Sequence, residues 1–189
     1  MSQPWQVELV GIGSVVPSLL RTLREDLAGI LVRPVWISTS HIDPMPFFDP
    51  RRGQYAAHSI LERLLQPPPK ENVQRIGITE LDLFLPVFTH VFGAAQLGGP
   101  VGLASLYRLR PEFEGSLPDL DRTHERLLKE VLHELGHTLA LIHCRIPWCA
   151  MGASRLPGHV DLKDSAFCNP CADRIGVPIN GLQLFDENP

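Results

Sequence analysis

The stretch His133-Glu134-Leu135-Gly136-His137-Thr138-Leu139-Ala140-Leu141-Ile142-His143 decides how this chain is interpreted. It contains the motif HExxH, followed by a third histidine six residues later. On an α-helix, which advances about 100° and 1.5 Å per residue, His133 and His137 lie about 6 Å apart on one face. Glu134 lies at the edge of that face, where its carboxylate can reach a water molecule on a metal ion held by both histidines.

His143 can reach the same ion only if the helix ends. On a continuous helix it would lie about 15 Å beyond His133, so the chain must turn back between Leu139 and His143. Three neutral imidazoles leave a zinc ion with one open position, as in catalytic sites. We therefore predict a catalytic zinc bound by these three histidines, with Glu134 as general base. Ordinary helix residues, or a metal site without catalysis, are the alternatives.

A second ligand set follows at once. The four cysteines of the chain are grouped as C-x4-C and C-x2-C, at Cys144, Cys149, Cys168 and Cys171. No secretory signal or long apolar run is visible in the sequence, which predicts a cytoplasmic protein with reduced thiols and no membrane partner. The spacing then predicts a structural zinc held by four thiolates. Two disulfides in a secreted protein, or free buried thiols, are the alternatives.

The pattern HExxHxxxxxHC, followed by x4-C-x-M and C-x2-C, resembles the archaemetzincins, a branch of the metzincin clan of zinc peptidases. Met151 falls where that family has its Met-turn, whose methionine underlies the three histidines. Segments 77–84, 91–95 and 106–113 are also similar to the family. The resemblance implies a zinc metallopeptidase with two zinc ions, acting on peptide or protein substrates. One position departs from it: Ala140 replaces the usual glycine, and a left-handed alanine costs about 1–2 kcal/mol.

Composition places the chain among ordinary globular proteins. It has 189 residues, 44% of them hydrophobic and 20% charged, and a net charge of −4, which argues against a general nucleic-acid binder. We expect one domain over residues 1–189, made of a sheet and helix lobe (1–143) and a lobe with the Met-turn and the cysteines (144–189). The rival functions are a zinc-stabilised peptide-binding or regulatory module with little hydrolysis, and an amide hydrolase acting on a small molecule.

Strand-like and helical patterns alternate along the first lobe. Strands are predicted at 6–12, 32–39, 73–79, 81–87 and 101–109, and helices at 17–30, 54–65 and 122–139, the last with Asp121 as N-cap. This alternation predicts an α/β fold with a twisted, mostly parallel sheet. The loop-rich second lobe, with a short helix near 171–175, needs metal to become ordered. Residues 91–105 are the predicted sheet edge for pairing with an extended peptide.

Other polar side chains are given ordinary roles by their sequence context. The scattered histidines His41, His58, His90 and His159 are interpreted as surface or structural residues. Arg126 and Lys129 are assigned to a solvated face of the metal-binding helix. The residues Asp161, Lys163 and Asp164 are assigned to a charged surface loop.

Overall fold

The structure, a computed structural model, describes residues 4–178. Residues 1–3 and 179–189, which the predicted domain of residues 1–189 includes, lie outside this part. The described chain forms the strands β1 (Gln6–Ile12), β2 (Val35–Ile37), β3 (Phe48–Asp49), β4 (Gln54–Ala56), β5 (Val73–Thr79), β6 (Leu83–Phe84), β7 (Gly93–Ala95) and β8 (Val101–Ser105). Its helices are α1 (Pro17–Leu31), α2 (Ala57–Leu64), α3 (Leu120–Thr138), α4 (Pro157–Asp161) and α5 (Asn169–Ile175).

The main sheet has five strands in the order β2-β1-β5-β8-β7. Neighbours from β2 to β8 are parallel, and β7 pairs antiparallel with β8 at the edge. The predicted α/β fold with a mostly parallel sheet is therefore confirmed. Strands β3, β4 and β6 form a second, small sheet. No helix within residues 4–178 is long and apolar enough to cross a membrane.

The two faces of the main sheet carry two separate hydrophobic cores. Strand β1 shows the period of two that divides them: Val7 and Leu9 pack on the side of α1 and α3, while Val10 and Ile12 pack on the side of α2. The core that includes α3 continues into the C-terminal part of the chain, through Met151 and the cysteines. Helix α3, which carries the first two histidines of the motif, is therefore held between the sheet and this C-terminal segment.

Several predicted element boundaries are wrong in detail. Residues 54–56 form a strand before α2 begins, and the strand predicted at 81–87 is reduced to two residues. The strand predicted at 101–109 ends at Ser105, after which residues 107–109 form a 3-10 helix. Short hydrophobic runs give no signal that separates a strand from a buried turn, so these differences reflect pairing partners distant in the sequence.

Helix α3 begins at Leu120, two residues earlier than predicted. Its N-cap is Asp119 rather than Asp121, since the Asp119 carboxylate accepts a hydrogen bond of 2.9 Å from the Arg122 amide. From Arg126 to Gly136 every residue of α3 is buried. The helix therefore carries its two histidines through the interior of the protein to the point where they meet the cleft.

Candidate metal centre and active site

The end of α3 brings the three histidines together. The chain leaves the helix through Ala140, whose φ of 65° is left-handed. The Leu141 amide donates to the Gly136 carbonyl at 2.9 Å and the Ala140 amide to the His137 carbonyl at 3.0 Å, which is a Schellman motif. This turn reverses the chain, and one ring nitrogen from each of the three histidines lies within 4.8 Å of the other two. The helix break predicted between residues 139 and 143 is confirmed.

Hydrogen bonds fix the tautomers of the two helical histidines. Nδ1 of His133 lies 2.9 Å from the Ala150 carbonyl, and Nδ1 of His137 lies 2.8 Å from the Leu141 carbonyl. A carbonyl oxygen only accepts, so each Nδ1 carries the proton and each Nε2 has a free lone pair. The two Nε2 atoms face each other at 3.1 Å. Two acceptors at this distance repel each other, whereas a cation between them is bound by both, so the donor set fits a metal ion.

Burial keeps these imidazoles neutral. Desolvation, followed by the positive charge of Lys163, lowers the pKa of His133 well below its ordinary value, and desolvation also lowers the pKa of His137. His143 is exposed, and its ring stacks on His133 with centroids 5.2 Å apart. Neutral imidazole is the form that binds metal, so protons compete weakly for this site.

Glu134 lies beside the histidines in the wall of the cleft and is only 4% exposed. Burial, followed by the neighbouring Glu130 carboxylate, raises its pKa well above the ordinary value, and Lys163 opposes this shift. Strand β7 approaches Glu134 at Gly93, where a Cβ atom would lie 2.5 Å from Oε1 of Glu134. The absence of a side chain at Gly93 therefore leaves the space that the carboxylate occupies.

Met151 is fully buried against α3. A Cβ atom at Gly136 would collide with the Met151 sulfur, so this glycine allows the methionine segment to pack directly on the helix. The preceding residue, Ala150, supplies the carbonyl that orients His133. Met151 thus lies in a segment that supports the histidines, at the position where the family resemblance places the Met-turn.

The four cysteines form a second cluster. Their sulfur atoms lie within 4.8 Å of one another, none is in a disulfide, and three of the four are buried. The amides of Ile146 and Cys168 each donate to a cysteine sulfur at 3.4 Å. Burial raises the pKa of Cys168 to about 11, and it also raises the pKa of Cys171. Buried thiols that share one small space with amide donors are suited to a cation that stabilises their thiolate form.

The histidines open onto a cleft of about 840 Å³. Its walls are edge strand β7, the segment 85–92 before it, the end of α3 and residues 153–155 after the Met-turn. His90 also lines the cleft, with its ring 5.8 Å from the ring of Phe92. Nothing in the sequence distinguishes His90 from the other scattered histidines, because its place at the rim depends on a loop with no regular period.

Three charged side chains assigned to the surface are buried. Arg126 is completely buried and pairs with Asp161 and Glu114, while Lys129 is 4% and Lys163 is 2% exposed. A usable signal existed for the first two. Arg126 lies seven residues and Lys129 four residues before His133, so both share the buried face of α3. Lys163 lies in a short irregular segment, where periodicity gives no comparable signal.

Comparison with known proteins identifies the family of this chain. Residues 29–176 match the model of peptidase family M54. The archaemetzincin of Methanocaldococcus jannaschii is 41% identical over 132 residues, covering 70% of this chain and 72% of the relative.

Two crystal structures share the fold. A zinc-dependent peptidase from Methanocorpusculum labreanum superimposes with a TM-score of 0.79 at 30% identity, covering 89% of this chain and 99% of that one. The archaemetzincin of Methanopyrus kandleri superimposes with a TM-score of 0.78 at 29% identity, covering 92% and 94%. The chain therefore belongs to peptidase family M54, the archaemetzincin family of zinc metallopeptidases.

Proposed function

We propose that this protein hydrolyses peptide bonds with a catalytic zinc held by His133, His137 and His143 and with Glu134 as general base. One observation carries the proposal. The Nε2 atoms of His133 and His137 face each other at 3.1 Å while both Nδ1 atoms are committed to backbone carbonyls. This arrangement is favourable only around a cation, and three nitrogen ligands leave one of its positions open to the cleft.

Zinc bound there would supply Lewis acidity, which acidifies water and polarises a carbonyl group. Glu134 accepts a proton from the attacking water and passes it to the nitrogen of the leaving amine. The burial that raises the pKa of Glu134 makes its carboxylate a stronger base than an exposed glutamate. The carbonyls of Ala150 and Leu141 keep the imidazoles of His133 and His137 in the tautomer that directs Nε2 at the ion.

The edge strand suits an extended peptide as substrate. Among residues 4–178 only β8 pairs with strand β7, and residues 93–95 of this strand line the cleft beside Glu134. A peptide that adds to such an edge is held by main-chain hydrogen bonds, with its scissile bond facing the histidines. The exposed apolar side chains at the rim, Phe88, Leu97 and Ile142, offer contacts for its side chains.

We propose a structural role for a second zinc, bound by Cys144, Cys149, Cys168 and Cys171. Four thiolate ligands leave no open position for substrate. Because Cys144 follows His143 directly, zinc held by these cysteines would also fix the loop that returns the third histidine to the first site. Binding of this second ion requires the thiols to be reduced, which favours the cytoplasm as the location.

The test is Glu134→Gln in the zinc-loaded enzyme, with Glu125→Gln as matched control, since Glu125 lies on the same helix with its side chain 59% exposed. We expect hydrolysis of a peptide library to fall about 10²- to 10⁴-fold in the first variant, with both zinc ions retained, and to remain unchanged in the second. Full activity of Glu134→Gln would refute the general base. A wild-type protein that binds peptides without cleaving them would instead favour the regulatory module.

A further inference from the structure

We propose that Lys163 is a positioning residue, which holds the carboxylate pair Glu130 and Glu134 and the Met-turn in one fixed arrangement. The inference rests on the proposed function, since it assigns to Lys163 the task of placing the general base. Lys163 is not among the residues that line the cleft, so it would not contact a substrate bound there. Its side chain is 1% exposed, which is rare for a lysine and requires a compensating partner.

The ammonium group of Lys163 bridges two elements. Its Nζ donates a hydrogen bond of 3.3 Å to the carbonyl of Gly152, the residue after Met151. The same Nζ lies 3.8 Å from Oε2 of Glu130 on α3. Its aliphatic stem passes over Gly152, where a Cβ atom would lie 3.4 Å from Cδ of Lys163. One side chain thus connects the cysteine-bearing segment, the Met-turn and the helix that carries the histidines.

The partner of Lys163 belongs to a buried pair of carboxyl groups. Glu130 lies one turn before Glu134, both are 4% exposed, and their carboxyl groups are within hydrogen-bonding reach of each other. Within residues 4–178 no group donates a hydrogen bond to Oε2 of Glu130, and the ammonium group of Lys163 lies 3.8 Å from it. A hydrogen bond between the two carboxyl groups requires one of them to hold a proton, so the pair carries one buried negative charge, which Lys163 balances.

Glu134 has little freedom to move away from this pair. Its Cγ and Oε1 lie against the backbone of Gly93, and Glu130 is its neighbour one turn earlier on α3. If Lys163 is replaced, the negative charge of the carboxyl pair loses its positive partner and the Gly152 carbonyl loses its hydrogen-bond donor, so Glu134 or the Met-turn can be displaced. A displacement of about 1 Å at a catalytic group is enough to reduce turnover strongly.

The experiment compares Lys163→Met with the double variant K163M/E130Q, which removes the cation and the carboxylate that it balances. Lys129→Met is the matched control, because Lys129 is equally buried and pairs with Glu125 rather than with the site. Three quantities are measured for each zinc-loaded protein: kcat and KM with a peptide substrate, and the thermal midpoint. The visible spectrum of cobalt substituted at the histidine site reports its geometry without any need for turnover.

We expect Lys163→Met to lower kcat about tenfold or more and to change KM less than about twofold, with an altered cobalt spectrum. The double variant should recover most of the lost kcat, the wild-type spectrum and the thermal midpoint. A kcat and spectrum of Lys163→Met equal to those of Lys129→Met would overturn the proposal. So would a double variant that is no better than Lys163→Met, or that fails to fold, because Lys163 would then serve stability alone.

The two proposals fail in distinguishable ways. A wild-type protein without peptidase activity would refute the proposed function, yet the cobalt spectra and thermal midpoints of the four proteins would still show whether Lys163 and Glu130 are coupled. Conversely, an active enzyme whose activity depends on Glu134 but not on Lys163 would retain the proposed function and eliminate the positioning role.

Discussion

The histidine cluster and the cysteine cluster are adjacent in sequence but differ in their access to solvent. His133 is buried, His137 is half-buried and His143 is exposed, so the donor atoms of this cluster face the cleft. In the cysteine cluster three of the four residues are buried, and Cys144 is half-buried. His143 and Cys144 are consecutive residues, so a single peptide bond joins the cluster whose donors face the cleft to the cluster that is mostly buried.

This difference shows how a short segment can serve both chemistry and folding. His133 and His137 are positioned by α3, whose buried side chains pack with those of the sheet and of α1 in one hydrophobic core. The cysteines lie in a segment whose regular structure is limited to two short helices, α4 and α5. Loss of an ion should therefore have local consequences in the first cluster and extended consequences in the second.

The largest expected effect is that of Cys168→Ser, which removes one ligand from the closed cluster. Binding of a structural zinc contributes roughly 10–16 kcal/mol, so we expect the free energy of unfolding to fall by at least about 3 kcal/mol. Cys144 is joined to His143 by a peptide bond, so disorder of the cysteine cluster should also displace His143. Hydrolysis and metal content at the histidine site should therefore fall as well. Chemical denaturation and elemental analysis measure both effects; unchanged activity and metal content would separate the two clusters.

The corresponding change in the histidine cluster is His137→Ala, and its effect should be confined to that cluster. We expect two zinc ions per chain to fall to one and hydrolysis to become undetectable, whereas the free energy of unfolding should change by only about 1 kcal/mol. Elemental analysis and denaturation on the same preparation test this. A loss of stability as large as that of Cys168→Ser would show that the open cluster also holds the fold together.

The sequence predicted the parts of both clusters that depend on local spacing. The four-residue interval between His133 and His137 determines that they share a helical face, and the ten-residue interval to His143 requires a turn before it. The alternation of strands and helices likewise predicts a mostly parallel sheet. These features could be predicted because each follows from the period of one element.

The burial of Lys163 could not be predicted in the same way. Lys163 is buried because Gly152 and Glu130, which are distant in sequence, provide its partners. Asp161 is half-buried, and its carboxylate likewise pairs with a residue distant in sequence, the buried Arg126 thirty-five residues earlier. A charged residue in an irregular segment is usually solvated, and only the tertiary structure shows the exception. The contacts of Lys163 with Gly152 and Glu130, next to the proposed general base Glu134, are therefore visible only in the tertiary structure.

Gly93→Ala tests how closely the open cluster is packed around its glutamate. The added Cβ would lie 2.5 Å from Oε1 of Glu134 and 2.7 Å from the Leu103 carbonyl, so Glu134 or β7 must move. We expect kcat to fall about tenfold to a hundredfold with both metals retained. Gly29→Ala is the control, because no atom lies within 4 Å of its added Cβ. Steady-state kinetics with unchanged kcat for Gly93→Ala would show that this contact is adaptable.

Ala140→Gly gives the smallest expected effect, and it concerns the turn between the two clusters. Ala140 is exposed and has a φ of 65°, a conformation that costs an alanine about 1–2 kcal/mol. Glycine removes this strain, but it increases the conformational entropy of the unfolded chain, which lowers the free energy of unfolding by about 0.4–1 kcal/mol. The net expectation is a stabilisation of about 0.5–1 kcal/mol in chemical denaturation, without loss of metal.

The control for this change is Ala28→Gly inside α1, which should instead lower the free energy of unfolding by about 1 kcal/mol, because a helical alanine has no such strain. Opposite signs for the two alanine-to-glycine variants would identify the left-handed turn as the cause. Ala140→Gly could instead be as destabilising as Ala28→Gly. In that case the contacts on either side of the turn, from the Schellman motif to the cysteine cluster, already offset the strain of the alanine. The two clusters would then determine the conformation of this segment more strongly than the backbone preference of residue 140.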